Sequence, residues 1–176
     1  MSVLTKPALL LSLVFIIAGC AHQQGSQTYN HGYAHGHNHT LHDGIVVPLF
    51  SDQQRVGFAE LKLHDDKGDL ELWLTTDAVG GNPLDLSLNA EVTVSLPQSD
   101  TTAVTLRVRN TDNNEDEDGK GNIRGSKTNY FIFPGDTGAD ATFLMGKGFV
   151  ANTAISFVAG GVRYTTDVFK LRPHIH

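Results

Sequence analysis

The sequence predicts an all-β protein, an antiparallel β-sandwich of about seven to nine strands. Three observations predict this fold class. Apolar and polar residues alternate with a period of two along short segments, as in Leu70-Glu71-Leu72-Trp73-Leu74. Clusters of Gly, Pro, Asn and Asp separate these segments, and such residues favour turns. Only residues 139–145 offer a helix, of two turns at most. Antiparallel strands joined by turns are therefore expected, rather than strands alternating with helices.

The predicted strands run from residue 45 almost to the C terminus. They are residues 45–50, 56–64, 70–74, 84–88, 92–96, 104–108, 130–133, 155–158 and 162–171. The last two are expected to form a hairpin across Ala159-Gly160-Gly161. A small barrel is the alternative architecture. The Cys…Trp…Cys pattern of true immunoglobulin domains is absent, so the sandwich is immunoglobulin-like in architecture only.

The composition excludes several classes of function. The chain has 19 Asp and Glu against 13 Lys and Arg, a formal net charge of −6, which argues against nucleic acid as a partner. A single cysteine excludes a disulfide framework, a cysteine-type zinc knuckle and an iron–sulfur site. Neither a nucleophile elbow nor a phosphate-binding loop is present, so we expect a protein that is not an enzyme.

The N-terminal segment predicts export. Lys6 precedes an apolar run of eleven residues, 8–18, about 16 Å as a helix and too short to cross a hydrocarbon core of about 30 Å. A run of this size is typical of a signal peptide. It ends in Ile17-Ala18-Gly19-Cys20, which resembles the lipobox of bacterial lipoproteins. An ordinary secretory signal is the alternative.

The lipobox resemblance implies cleavage after residue 19, lipid attachment at Cys20 and anchoring in a membrane through the acyl chains. Ala21 follows the cysteine, whereas the inner-membrane retention signal of many Gram-negative lipoproteins has Asp there. The resemblance therefore implies the outer membrane of the cell envelope, with the protein facing the periplasm. Residues 20–43 are rich in His, Gly, Gln and Asn and predict a flexible tether. The folded domain is expected to span residues 44–176.

Histidines give the clearest chemical signal. In an extended chain, residues i and i+2 project from the same face about 6.6 Å apart, so two imidazoles at this spacing can converge on one cation. Imidazole nitrogen suits zinc, copper(II) and nickel(II). The predicted metal ligands are His31, His35, His37, His39, His42, His174 and His176. If the first and last strands are neighbours, His42, His174 and His176 are expected to form one cluster. His64, beside Asp65 and Asp66, is predicted to be a solvated turn residue.

Residues 110–122 form an acidic segment with five acids between positions 112 and 118. Asn114, Asp116 and Asp118, followed by Gly119, match the opening of a calcium-binding loop. Position 12 of that loop is Gly125 rather than an acid, so the motif is incomplete. The favoured interpretation is a solvated loop that its repelling carboxylates keep extended. A calcium site is the alternative.

Together these features predict a lipid-anchored envelope protein whose His-rich segment binds zinc, copper(II) or nickel. A His-rich leader before a β domain resembles envelope proteins that accompany heavy-metal efflux, which implies metal buffering or transfer to an envelope transporter. The alternative is a non-catalytic protein–protein interaction module in which the tether only provides reach.

Overall fold

A computed structural model describes residues 40–77, 81–97, 103–135 and 138–174 of the chain. The predicted signal peptide, the lipid attachment at Cys20 and five of the predicted metal ligands lie outside the described residues. These ligands are His31, His35, His37, His39 and His176. No helix in the described ranges is long and apolar enough to cross a bilayer.

The described part of the chain forms twelve strands and one short helix. The strands are β1 (Ile45–Ser51), β2 (Gln54–Leu63), β3 (Leu70–Thr75), β4 (Leu86–Ser87), β5 (Val92–Ser95), β6 (Ala103–Leu106), β7 (Ile123–Arg124), β8 (Lys127–Thr128), β9 (Tyr130–Phe133), β10 (Ala151–Ala159), β11 (Val162–Thr166) and β12 (Phe169–Leu171). A single 3₁₀ turn over Thr142–Leu144 replaces the short helix expected at residues 139–145. The strand expected over residues 162–171 divides in two, and β12 pairs with the start of β10 instead of extending β11.

All strand pairs are antiparallel, and they form a sheet of nine strands and a small sheet of three. The main sheet has the order β6-β5-β10-β11-β1-β2-β3-β9, with β12 also paired to β10. Its two end strands meet where Arg107 and Ile132 exchange backbone hydrogen bonds of 2.9 and 2.7 Å. The small sheet has the order β4-β8-β7. The predicted all-β antiparallel sandwich is confirmed, and the closing contact adds barrel character to it.

The core lies inside the main sheet, where the period-two pattern of each strand places its apolar residues. On β3, Leu70, Leu72 and Leu74 are fully buried, and Leu61 and Phe131 on the flanking strands β2 and β9 are buried beside them. Each such side chain contributes about 1.5–3 kcal/mol on leaving water. This inward packing fixes the direction of the alternate residues, which project from the outer side of the same three strands.

Candidate metal centre

The outer side of β2, β3 and β9 carries polar residues that are nevertheless buried. We call this surface the polar face; it comprises Glu60, Lys62, His64, Glu71, Trp73, Tyr130 and Ile132. The strand register places Lys62 opposite Glu71, and Glu60 opposite Trp73. Lys62 is only 4% exposed and Glu71 only 2%. Since lysine and glutamate are almost never buried unless they are paired, these side chains require partners.

The acidic segment folds back on itself and contacts the polar face, so the predicted extended loop is wrong, although most of its residues are exposed to solvent as predicted. Asn114 is fully buried. Its Nδ2 donates to Thr128 Oγ1 at 3.0 Å and to the carbonyl oxygen of Tyr130 at 2.9 Å. Its Oδ1 accepts the backbone N–H of Arg109 at 2.8 Å. These three bonds hold the segment against the sheet despite the repulsion between its carboxylates.

The residues of the predicted calcium loop have other contacts in this fold. Asp116 accepts the backbone N–H of Lys120 at 2.9 Å with Oδ1, and the Nδ2 of Asn122 at 3.2 Å with Oδ2. Asn114 is bonded to the sheet, and Asp118 is exposed. These contacts close the loop on itself. Calcium binding by Asn114, Asp116 and Asp118 stays a prediction.

Three side chains of types that can ligate a metal ion converge at one end of the polar face. His64 Nε2 lies 3.0 Å from Glu71 Oε2 and 3.4 Å from Glu117 Oε2. All three ligand atoms lie within 4.8 Å of one another. His64 follows the end of β2, Glu71 lies on β3, and Glu117 comes from the acidic segment that folds over both strands. The site therefore depends on the packing of this segment.

Other polar side chains surround the two carboxylates. The Tyr130 hydroxyl donates to Glu71 Oε1, and the Lys62 ammonium donates to Glu117 Oε1. The Arg109 guanidinium is 3.9 Å from Glu71 Oε1. The buried charges are thus paired, as the cost of desolvation requires.

This network shifts the pKa values of its members. The hydrogen bond to Glu71 raises the pKa of His64, although burial opposes the shift. Burial alone would raise the pKa of Glu71, but the hydrogen bonds from His64 and Tyr130 lower it. Burial raises the pKa of Tyr130 far above its ordinary value, so its hydroxyl keeps its proton and acts as a donor.

Two of the three separations between these atoms are close to those found around a small divalent ion. A tetrahedral zinc ion with bonds of about 2.0–2.1 Å separates its ligand atoms by about 3.3–3.4 Å. The His64–Glu117 separation of 3.4 Å and the His64–Glu71 separation of 3.0 Å are near that value. One imidazole nitrogen and two carboxylate oxygens are a donor set that zinc, copper(II) and nickel(II) accept.

Two histidines predicted as ligands also lie at this face. His174 forms a parallel bridge with His64, and its backbone N–H donates to the carbonyl oxygen of Leu63 at 2.8 Å. Paired residues on neighbouring chain segments project to the same side of a sheet, so His174 neighbours His64. The ring of His42 stacks on Trp73 with 3.9 Å between ring centroids, and burial lowers the pKa of His42. The structure thus pairs His174 with His64, while the side chain of His42 contacts Trp73.

Sequence reasoning missed His64, Glu71 and Glu117. His64 lies beside two aspartates at a turn, which favoured a solvated residue. The signal that identifies it is the alternation of Glu60, Lys62 and His64 along β2, opposite Glu71 and Trp73 on β3. A row of polar residues on two adjacent strands indicates the outer face of the sheet, but the burial of these residues is not evident from the pattern.

Comparison of the chain with protein-family models, curated proteins and solved structures finds no match. Since one fold supports many functions, the chemistry of the site has to indicate the activity.

Proposed function

We propose that this chain is a lipid-anchored protein of the cell envelope that binds a divalent transition-metal ion, zinc, copper(II) or nickel. Its role is to buffer the ion or to hand it to an envelope transporter. The observation that carries the proposal is the convergence of His64, Glu71 and Glu117, with His174 as the neighbour of His64. The His-rich segment adds further imidazoles that precede this domain in the sequence.

The donor atoms favour zinc, copper(II) and nickel over copper(I), which prefers sulfur ligands. The three converging groups offer nitrogen and oxygen, and the sole cysteine of the chain is the residue that lipid attachment would consume. Copper(I) prefers thiolate and thioether sulfur, so it is disfavoured. Zinc fits the nitrogen–oxygen donor set and the two ligand separations that involve His64, and we choose it as the first ion to test.

The metal part of the proposal is tested by calorimetric titration with Zn²⁺ at pH 7.5 of the chain that begins at Ala21. We expect one stronger site in the domain and weaker binding by the tether. Replacing His64 with Ala should remove the stronger component. Replacing His31, His35, His37 and His39 together with Asn should remove most of the weaker one. Both components should weaken below about pH 6, because imidazoles must lose their protons to bind metal.

The anchoring part is tested separately in cells of a Gram-negative host. The wild-type chain should appear in the outer-membrane fraction, and mass spectrometry should show acyl groups on Cys20. A Cys20→Ser variant should lose both the acyl groups and the membrane association. A wild-type protein that is exported without acylation would contradict the anchoring and leave the metal site unaffected.

The alternative function is an interaction module without a metal role. The observation in its favour is the exposure of apolar residues on the β10–β11 hairpin, where Val158 is 56% and Val162 41% exposed. An absence of heat with zinc, copper(II) and nickel, together with a partner that co-purifies through this hairpin, would favour it. A Val158→Ser, Val162→Ser double variant should then lose the partner.

A further inference from the structure

We infer that Lys62 is an internal cation that neutralises Glu117 and that an incoming metal ion must displace. This inference rests on the proposed function and assigns a regulatory role to a side chain that is not itself a metal ligand. It predicts that the protein holds its ion less tightly than its three ligands would allow.

The position of Lys62 carries the inference. Its side chain is 4% exposed, and its ammonium donates to Oε1 of Glu117. Oε2 of the same carboxylate lies 3.4 Å from His64 Nε2. A single carboxylate is therefore shared between the lysine and the cluster that would ligate the metal. Lys62 also lies directly opposite the second carboxylate ligand, Glu71, in the strand register.

The charges around the site favour displacement of the lysine by a metal ion. Glu71 and Glu117 supply two negative charges, and Lys62 and Arg109 supply two positive charges at the same carboxylates. With His64 neutral, as metal binding requires, these four charges sum to zero, and the nearby carboxylate of Asp69 adds one negative charge. A divalent ion would then bring the sum to +1 and would lie close to Lys62, whose side chain is 4% exposed, so that repulsion between the two cations is strong. Departure of the Lys62 ammonium would return the sum to zero.

The partner of Lys62 is the ligand nearest to solvent. Glu117 is 32% exposed, more than either His64 or Glu71. A lysine carries its charge on a flexible four-carbon chain, which can stay packed while the ammonium turns toward water. Arg109 already contacts the solvent and bonds to the carbonyl oxygen of Glu115 at 2.9 Å, so it holds the loop rather than the ion.

A lysine that competes with the metal lowers the affinity of the site and favours exchange of the ion. This property suits a protein that buffers an ion or passes it on, because release then does not require the folded domain to open.

The test is a zinc titration of the Lys62→Met variant, which keeps an unbranched apolar chain and removes the charge. We expect the dissociation constant of the His64-dependent site to fall about 10- to 100-fold. The matched control is Lys127→Met on β8, an exposed lysine whose loss changes the net charge equally. This control should change the constant less than about twofold, since exposed charges are largely screened. Equal or weaker binding by Lys62→Met would overturn the inference.

Lys62→Gln serves as a second variant, and far-ultraviolet circular dichroism checks that each protein is folded. If neither variant folds, the inference is also overturned, because a lysine that the fold requires cannot leave Glu117. Failure of the proposed function has a different signature. In that case the wild type and His64→Ala bind zinc with equal affinity, or neither binds it. Lys62→Met then shows no additional zinc binding. If His64→Ala loses the site while Lys62→Met is no tighter, only the inference fails.

Discussion

The two sides of strands β2, β3 and β9 differ in how they are buried. The inner side packs leucines and Phe131 into a core to which most of the strands contribute. The outer side buries Glu60, Lys62 and Glu71 beside a small apolar cluster of Trp73, Tyr130 and Ile132. The inner side needs only apolar residues of suitable volume, whereas the outer side needs specific partners for each charge.

This difference predicts different effects of substitutions on the two sides. A core of apolar side chains tolerates other apolar residues of similar volume. A polar layer depends on particular donors and acceptors, and removal of one leaves its partner unpaired. We therefore expect substitutions in the core to alter stability most, and substitutions at the polar face to alter stability less but metal binding more.

The largest effect on stability is expected from Phe131→Ala on the inner side of β9. Loss of this fully buried ring should lower the free energy of unfolding by about 3–5 kcal/mol, because the cavity that remains cannot collapse completely. Urea unfolding followed by circular dichroism measures the change. As a control, Val158→Ala, at a position 56% exposed, should stay within about 0.5 kcal/mol of the wild type. Similar losses in both variants would contradict the assigned core.

A smaller effect is expected from Asn114→Ala, which removes the bonds that hold the acidic segment to the sheet. The variant should lose about 2–3 kcal/mol of stability, since it leaves buried backbone and hydroxyl groups unpaired. It should also weaken zinc binding at the His64 site, because Glu117 lies on the released segment. Asp118→Ala, at an exposed position of the same loop, should do neither. Unchanged zinc affinity in Asn114→Ala would show that the loop does not supply a ligand.

The pH dependence of the metal-free protein probes the His64–Glu71 pair. Because the folded pKa of His64 is raised, its stabilisation is present below the unfolded pKa of about 6.5 and is lost as the pH rises through the folded value. The pKa of Glu71 is lowered in the folded state. The stabilisation that its carboxylate contributes is therefore present above about pH 4.5 and is lost as the pH falls through the folded pKa.

The wild type should therefore exceed His64→Gln in stability most clearly between about pH 4.5 and 6.5, on the order of 1 kcal/mol or less. Urea unfolding in a chelator at several pH values measures the difference. A difference that grows as the pH rises above 7 would be opposite in sign to this account.

The smallest effect is expected from Arg107→Ala, outside the covered part of the sheet. Its side chain pairs with Glu91 at 2.6 Å, but the two side chains are 41% and 57% exposed. Such pairs contribute about 0–1 kcal/mol, so unfolding should change little. The backbone of residue 107 still closes the sheet against Ile132 in this variant. A loss above about 2 kcal/mol would mean that the side chain takes part in the closure.

The fold could be predicted from the sequence because it depends on local patterns. Leu70-Glu71-Leu72-Trp73-Leu74 alternates, and the structure places its leucines inside. The candidate site could not be predicted from the sequence, because several of its contacts join residues that are far apart in the chain. Glu117 pairs with a lysine 55 positions earlier in the chain, and Asn114 bonds to a carbonyl 16 positions later. The acidic composition of residues 112–118 predicted solvation, and most of these residues are exposed, but the bonds of the buried Asn114 also hold the segment to the sheet.

His174 shows the intermediate case. Its spacing from His176 predicted a metal ligand, and the parallel bridge places it beside a histidine that the sequence assigned to a turn. The His-x-His spacing indicated that His174 could ligate a metal ion. It could not indicate that His64 is its neighbour, because this depends on where the C-terminal segment meets the end of β2.

Coordination by His64 is measured most directly by nuclear magnetic resonance of the histidine side chains in ¹⁵N-labelled protein as zinc is added. The first equivalent of zinc should shift the Nε2 resonance of His64 to the range of a metal-bound imidazole nitrogen, before the tether histidines respond. If His64 Nε2 keeps its metal-free position while zinc saturates other histidines, or if no imidazole responds, the metal centre on the polar face does not exist.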